Sequence, residues 1–268
     1  QGFFDNLDHD LIVKAVEHHA PARWIVLYVK RWLAAPVQQP NGRLATRDRG
    51  SPQGSVISPL LANIVLHELD CAMDGIDGVF VRYADDGVVM CRNKAQAEQA
   101  LALVRDTLAG LGLGLHADKT KIVDLREGRD GFDFLGCHFR ARMSGRLWEQ
   151  RQIRRYYLHR WPSQRAMKRA RAKIKALTGR NRCHQDIGEI IAMINPILRG
   201  WGNYFRTGNA ARKFNQLDWY VVGRLRGLLV ARYGRNLHAG RAEAWTREWF
   251  EAHGLHRLRG TVRYPGAA

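Results

Sequence analysis

The sequence predicts an α+β chain: a mixed first half, with an antiparallel sheet and packed helices, followed by an all-α second half. Three observations predict it. Short β-rich runs at Val79–Tyr83, Gly87–Cys91 and 131–139 lie between stretches whose apolar residues recur at helical spacing. From about residue 163 the pattern is helical throughout. Charge changes near the same place: residues 1–140 hold 16 Lys+Arg against 18 Asp+Glu, and residues 141–268 hold 27 against 7. All of the excess positive charge is therefore in the second half. A basic half of that size binds polyanions, because displaced counterions drive the association.

The elements follow in order. Leu11, Ile12, Ala15 and Val16 predict a helix from Asp8, a plausible N-cap, to about Arg31, interrupted at Pro21. Residues 38–55, rich in Gly, Pro and polar side chains, predict hairpin and loop. Leu60, Leu61, Ile64, Val65 and Leu69 share one face of a helix over 56–74 that Ser58-Pro59 starts. The two β-rich runs around residue 85 form a hairpin. Residues 94–112 form a helix ended by Gly110 and Gly112. Residues 113–125 suit strand, turn, strand, and 131–139 is a further strand. A basic connector over 140–162 leads to helices at 163–178, 186–206 and 209–233.

The chain has 268 residues, 46% of them apolar, enough for one large or two modest folded domains. No apolar run approaches the roughly 20 residues of a membrane span, and no signal-peptide pattern is present, so no membrane partner is expected. Cys71, Cys91, Cys137 and Cys183 form no CxxC pair, which argues against a zinc ribbon and for reduced thiols. A cytoplasmic, bacterial protein is the expectation. The opening QGFFDNLDHD reads as if it began inside an element, so the chain is expected to be truncated at its N-terminus.

Asp85 and Asp86 stand side by side within an apolar run. Adjacent carboxylates repel, and a divalent cation with a taste for hard oxygen ligands would offset that repulsion. Two solvated turn residues are the plain alternative. The surrounding motifs decide between them. Tyr83-Ala84-Asp85-Asp86 resembles the YxDD signature of reverse transcriptases. Ser51-Pro52-Gln53-Gly54-Ser55 with Ser58-Pro59-Leu60-Leu61-Ala62-Asn63, Leu115 to Lys121, and Phe134-Leu135-Gly136 resemble further blocks of that family, in its order. Ile194 to Phe205 resembles the core of the maturase domain of group II intron proteins. On these residues the chain resembles a group II intron reverse transcriptase/maturase.

The resemblance implies a polymerase palm with its fingers largely missing over 1–141, a basic connector over 142–162, a three-helix thumb/maturase domain over 163–235, and a short tail over 236–268. It implies RNA-directed DNA synthesis with Mg²⁺ at Asp85 and Asp86, and Lys119 facing the pyrophosphate leaving group. Phe4 would be a steric gate against ribose. Gln53, Gly54 and Tyr83 would contact nucleotide or primer end, and Leu135-Gly136 would form a tight strand under the primer. The implied partners are group II intron RNA, an RNA template/DNA primer duplex, dNTPs and a DNA target. A basic stripe on the first helix of the bundle, Arg165, Lys168, Arg171 and Lys175, together with Arg199 and Arg206 on the second, would bind RNA. Trp201 and Phe205 are expected in the bundle core. Aligning Gly2-Phe3-Phe4-Asp5 with the family places the first catalytic Asp two positions before Gln1, with Asp5 at the motif's second Asp. These 268 residues are therefore expected to be inactive by themselves. A non-catalytic, RNA-binding splicing maturase is the alternative.

Overall fold

The computed structural model describes residues 6–20, 22–39, 41–51, 55–234, 237–238 and 240–264. It divides into two compact units between Ile122 and Val123.

In the first unit, α1 (His9–His19) starts at Asp8, whose carboxylate accepts from the Asp10 and Leu11 amides at 2.8 and 3.2 Å. Helix α1 ends at His19 with Ala20 as its C-cap, and helical structure resumes as α2 (Arg23–Ala34), so the predicted helix is two. A two-rung hairpin follows, β1 (Val37–Gln38) with β2 (Leu44–Ala45). Then comes α3 (Ser58–Asp74), which has a proline in its first turn. Helix α3 is the shared wall of the unit. Its Leu61, Ala62 and Val65 close a core with Ile12 and Val16 of α1 and Val29 and Leu33 of α2. Its Leu66, Leu69 and Met73 pack instead on Ala100 and Leu108 of α4 (Lys94–Gly110). Between α3 and α4, β3 (Val79–Tyr83) pairs with β4 (Asp86–Met90), from Val79 opposite Met90 to Tyr83 opposite Asp86. Phe80 and Val89 face the α3–α4 core.

In the second unit, β5 (Gly131–Phe134), β6 (Cys137–Met143) and β7 (Tyr156–Pro162) form an antiparallel sheet in that order. A short helix, α5 (Gly145–Arg151), lies between β6 and β7. Three long helices follow: α6 (Gln164–Leu177), α7 (Ile187–Phe205) and α8 (Ala211–Tyr233). Met167 and Ile174 of α6, Ile190, Ile194 and Leu198 of α7, and Phe214, Leu217, Val221 and Leu225 of α8 form one continuous core. Two short helices, α9 (Arg241–Ala244) and α10 (Arg247–Ala252), complete the order. No described helix is long and apolar enough to cross a membrane.

Four expectations change. Residues 113–125 form no strand: Leu113 and Leu115 pack on the α3–α4 core instead, and the Lys119 and Thr120 amides turn back onto the His116 carbonyl. The run 131–139 is not one strand but two, joined at Leu135-Gly136. The stretch read as a connector contains α5 and a full strand, because the alternating residues of β7 pair with β6 along its whole length. Both strands of the 131–139 region thus share a sheet with β7 in the second unit. The stretch read as a tail is part of the fold, since Trp245, Phe250, Leu255 and Leu258 are buried in the bundle core.

Candidate functional site

The β3–β4 hairpin turns through two residues, Ala84 and Asp85. A two-residue turn matches the right-handed twist of its strands only with positive φ at its start. Ala84 accordingly sits at φ 52°, a conformation that costs a residue with a Cβ about 1–2 kcal/mol. The side chains of Asp85 and Asp86 are exposed at this tip, and neither has a hydrogen-bond or ion-pair partner among the described residues.

What holds the tip is Arg82. Strand alternation puts Phe80 and Arg82 on the inward side of β3. The Arg82 fork donates to both carboxylate oxygens of Asp70 on α3, with Nε to Oδ1 at 2.7 Å and Nη2 to Oδ2. Its Nη1 donates to Asn63 Oδ1 at 3.0 Å and to the Ala84 carbonyl at 2.9 Å. The last bond fastens the turn itself. A planar guanidinium can make these bonds at once because its donors are fixed in one plane. Opposite Arg82 on β4 stands Gly87, where a Cβ would come within 3.1 Å of the Phe80 ring. Asn63, in the SPLLAN block, therefore supports the carboxylate turn through Arg82. The sequence reading missed Arg82 and Asp70. The available signal was a charged residue at an inward strand position.

Gly50 and Ser51, ahead of α3, are anchored by bonds of their own. Gly50, at φ 76°, donates its amide to the Leu7 carbonyl at 2.7 Å and accepts from His9 at 2.8 Å. Ser51 and Ser58 share a buried hydroxyl–hydroxyl bond. Phe4, Gln53 and Gly54, read as nucleotide contacts, lie outside the described residues. Tyr83 is 66% exposed beside the pair. Lys119 is exposed in the 116–120 turn, and among the described residues no hydrogen bond or ion pair joins it to Asp85 or Asp86.

In the second unit, Leu135 and Gly136 are the turn between β5 and β6, both at positive φ (47° and 76°). This corrects the expectation of a tight strand: two successive positive φ values end strand pairing and reverse the chain. The turn is clamped. Tyr204 of α7 donates its hydroxyl to the Leu135 carbonyl at 2.8 Å, and the Ser163 amide donates to the Gly136 carbonyl at 2.9 Å.

The basic side chains divide by environment. Arg165, Lys168 and Lys175 are exposed on α6, opposite its buried Met167, Ala170 and Ile174. Arg171 is half-buried, with its guanidinium 5.5 Å from the Tyr220 ring centre, so it does not share the open stripe. Arg199 is exposed and Arg206 half-buried. Phe205 is buried, and Trp201 lies between Phe205 and Phe214 at 4.8 and 5.4 Å, both in core positions as expected. Asn195 has a role that the sequence did not suggest. Its side chain donates to the Gly254 carbonyl and accepts from the His256 amide, each at 2.8 Å. Asp218 of α8 accepts from the Leu258 and Arg259 amides at 3.1 and 3.0 Å. Burial pushes its carboxyl up, and those two amides and nearby arginines pull it back. Together Asn195 and Asp218 fasten residues 254–259 to the bundle.

Comparison with known proteins accords with these motifs. Residues 1–139 match the family of reverse transcriptases (RNA-dependent DNA polymerases), and residues 167–249 match the group II intron maturase-specific domain. Protein YkfC of Escherichia coli is 33% identical over 187 residues, covering 56% of this chain and 48% of that protein. The group II intron-encoded protein LtrA of Lactococcus lactis is 36% identical over 70 residues, 26% of this chain and 12% of LtrA. An uncharacterized 91 kDa protein in the cob intron of Schizosaccharomyces pombe is 22% identical over 287 residues, 82% of this chain and 35% of that protein. The chain thus spans about half the length of these relatives, or less. The chain belongs to the reverse transcriptase family and, by its second half, to the group II intron reverse transcriptase/maturases within it.

Proposed function

We propose that this chain carries two of the three carboxylates of an RNA-directed DNA polymerase centre, and that its basic half holds group II intron RNA for splicing. The observation that carries the reading is the Asp85–Asp86 tip: two adjacent carboxylates, exposed and unengaged, on a turn held from behind by Arg82. Both side chains face solvent, where a cation can reach them.

The donor set fits Mg²⁺ in kind, since it is hard oxygen at an open position. Among the described residues no group of three or more acidic, His or Cys side chains suited to a metal occurs, so the pair is the donor set they offer at this tip. When bound, a pair of such ions would lower the pKa of an attacking hydroxyl and neutralise charge on the phosphate. The chain's own contributions are separate. Asp85 and Asp86 present their oxygens at the open tip, and Arg82 keeps the turn from relaxing. Lys119 supplies a counter-charge for the departing pyrophosphate. Phe4, Gln53, Gly54 and Tyr83 shape the nucleotide position and select dNTPs. The Leu135-Gly136 turn supports the primer of an RNA template/DNA primer duplex. On the basic half, Arg165, Lys168, Lys175 and Arg199 offer open charges to RNA phosphates, and a DNA target is the substrate of intron insertion.

A second reading, a maturase that binds intron RNA without polymerising, is favoured by the same count of carboxylates. Primer extension on an RNA template separates the two. In a protein where this chain follows a strand bearing the third carboxylate, extension occurs and Asp85→Ala abolishes it. The 268 residues alone give none. Extension unaffected by Asp85→Ala removes the polymerase reading.

A further inference from the structure

Away from the open α6 stripe, several cations of the second unit come together beside the β6–β7 sheet. Arg142 on β6 lies with its guanidinium 4.7 Å from the Trp161 ring centre of β7. Asn209 ties the other side of β7 to the start of α8: its amide donates to the Arg160 carbonyl at 2.7 Å, and its side-chain oxygen accepts from the Arg160 amide at 3.3 Å. Helix α8 begins two residues later, so Arg212 and Lys213 in its first turn stand beside the sheet. Tyr220, two turns further along α8 on the Lys213 side, is the ring that Arg171 of α6 covers. Strand, helix start and neighbouring helix thus bring four cations together.

Among the described residues, none of Arg142, Arg171, Arg212 and Lys213 makes an ion pair, and the Arg171 Nε is buried without a partner. Burial, and then the fields of Arg212, Arg171 and Arg142, hold the Lys213 ammonium below its ordinary range, with no acidic group opposing them. Burial and Arg142 likewise depress His159, on the same face of the sheet. Helix α8 starts at Ala210 with no side-chain cap, so its first amides add further positive potential. The arginines used elsewhere in this unit differ: Arg140, Arg224, Arg226 and Arg232 spend their donors on backbone carbonyls.

We propose that Arg142, Arg171, Arg212 and Lys213 form a grip for consecutive phosphates of a nucleic-acid backbone. It is a separate site from the open face of α6, and it rests on the reading that this half binds nucleic acid. Trp161 and Tyr220 orient two of the guanidiniums by stacking, which leaves their N–H edges for phosphate oxygens. A phosphodiester backbone supplies the anions that these cations lack. The base plays no part, so RNA and DNA strands share the relevant chemistry.

Filter binding of a structured RNA between 50 and 400 mM salt tests this on the whole chain. Arg142→Ala/Lys213→Ala lowers the slope of log affinity against log salt by about 1.4–1.8, and weakens binding about 25- to 60-fold at 0.1 M salt. Arg142→Gln/Arg212→Gln, at two exposed positions, does the same should the first pair disturb folding. Arg105→Ala, on α4, leaves the slope within one charge. In a second measurement, an amine-reactive ester at pH 8 labels Lys213 faster than the exposed Lys168. RNA protects Lys213, and single-stranded DNA of the same sequence shows whether the ribose contributes. Steep, salt-dependent wild-type binding with an unchanged slope in both double variants, and no protection of Lys213, overturns the grip alone. Wild-type binding that does not depend on salt overturns the parent reading as well.

Discussion

The β3–β4 hairpin and the α6–α8 bundle present the side chains of the proposed sites by different physical means. No residue from Val79 to Met90 is fully buried, so the hairpin gains little from removing apolar surface from water. Its tip is set by one guanidinium that joins Asp70, Asn63 and the Ala84 carbonyl. The bundle has a continuous core in which Phe214, Leu217, Ile190, Ile194 and Leu225 are wholly buried, and its charges project from that base. A pair of carboxylates that must face solvent cannot be held by burial, so directional polar bonds do the holding. A cationic surface tolerates looser placement, because phosphates along a strand are many and equivalent.

That contrast can be broken from either side. The largest effect is expected at Phe214→Ala, which empties the centre of the bundle and costs about 3–5 kcal/mol. Chemical denaturation should show the second unit losing stability while hydrogen exchange in residues 79–90 is unchanged. Arg82→Ala comes next. It leaves the Asp70 carboxylate half-exposed and unpaired and frees the turn, at a cost of about 1–3 kcal/mol after allowance for solvent. Faster exchange should be confined to the hairpin and α3. In a protein where this chain follows a strand bearing the third carboxylate, polymerisation should fall much further than global stability, and Arg82→Lys should not rescue it, since an ammonium cannot make the fork. Asn195→Ala removes two bonds to residues 254–259 and costs about 1–2 kcal/mol. Limited proteolysis should then cut within that segment first. The smallest effect is expected at Ala84→Gly. It relieves a positive φ but loosens the unfolded chain, so the net change is below about 1 kcal/mol. The hairpin midpoint should move up or stay level, and a marked fall would mean that the Ala84 methyl does something the turn geometry does not require.

The long helices were legible in the sequence because apolar residues recur along one face of each, and Asp8, Asn93, Ser163 and Asp186 cap four of them with side-chain oxygens; the short helices in the stretches read as connector and tail were not. The hairpin and its carboxylates were legible because a turn and a motif coincide there. What failed was non-local. Strand β7 exists because β6 supplies a partner, and its alternation is masked by arginines and tyrosines that read as a basic linker. The run 113–125 has strand-like composition but no partner, so it stays irregular. The roles of Arg82, Asn195 and Asp218 depend on groups 12 or more residues away. Net charge also misled in part. Several arginines of the basic half are fasteners for backbone carbonyls, so the excess of positive charge overstates the surface open to RNA.

The central claim is that the Asp85–Asp86 tip, held by Arg82, is the metal-binding part of a polymerase centre. Its most direct test is primer extension on an RNA template with dNTPs and Mg²⁺, in a protein where this chain follows a strand bearing the third carboxylate. The account predicts extension by the parent protein, none with Asp85→Ala, and retained RNA binding in that variant. Equal extension by parent and variant would contradict it.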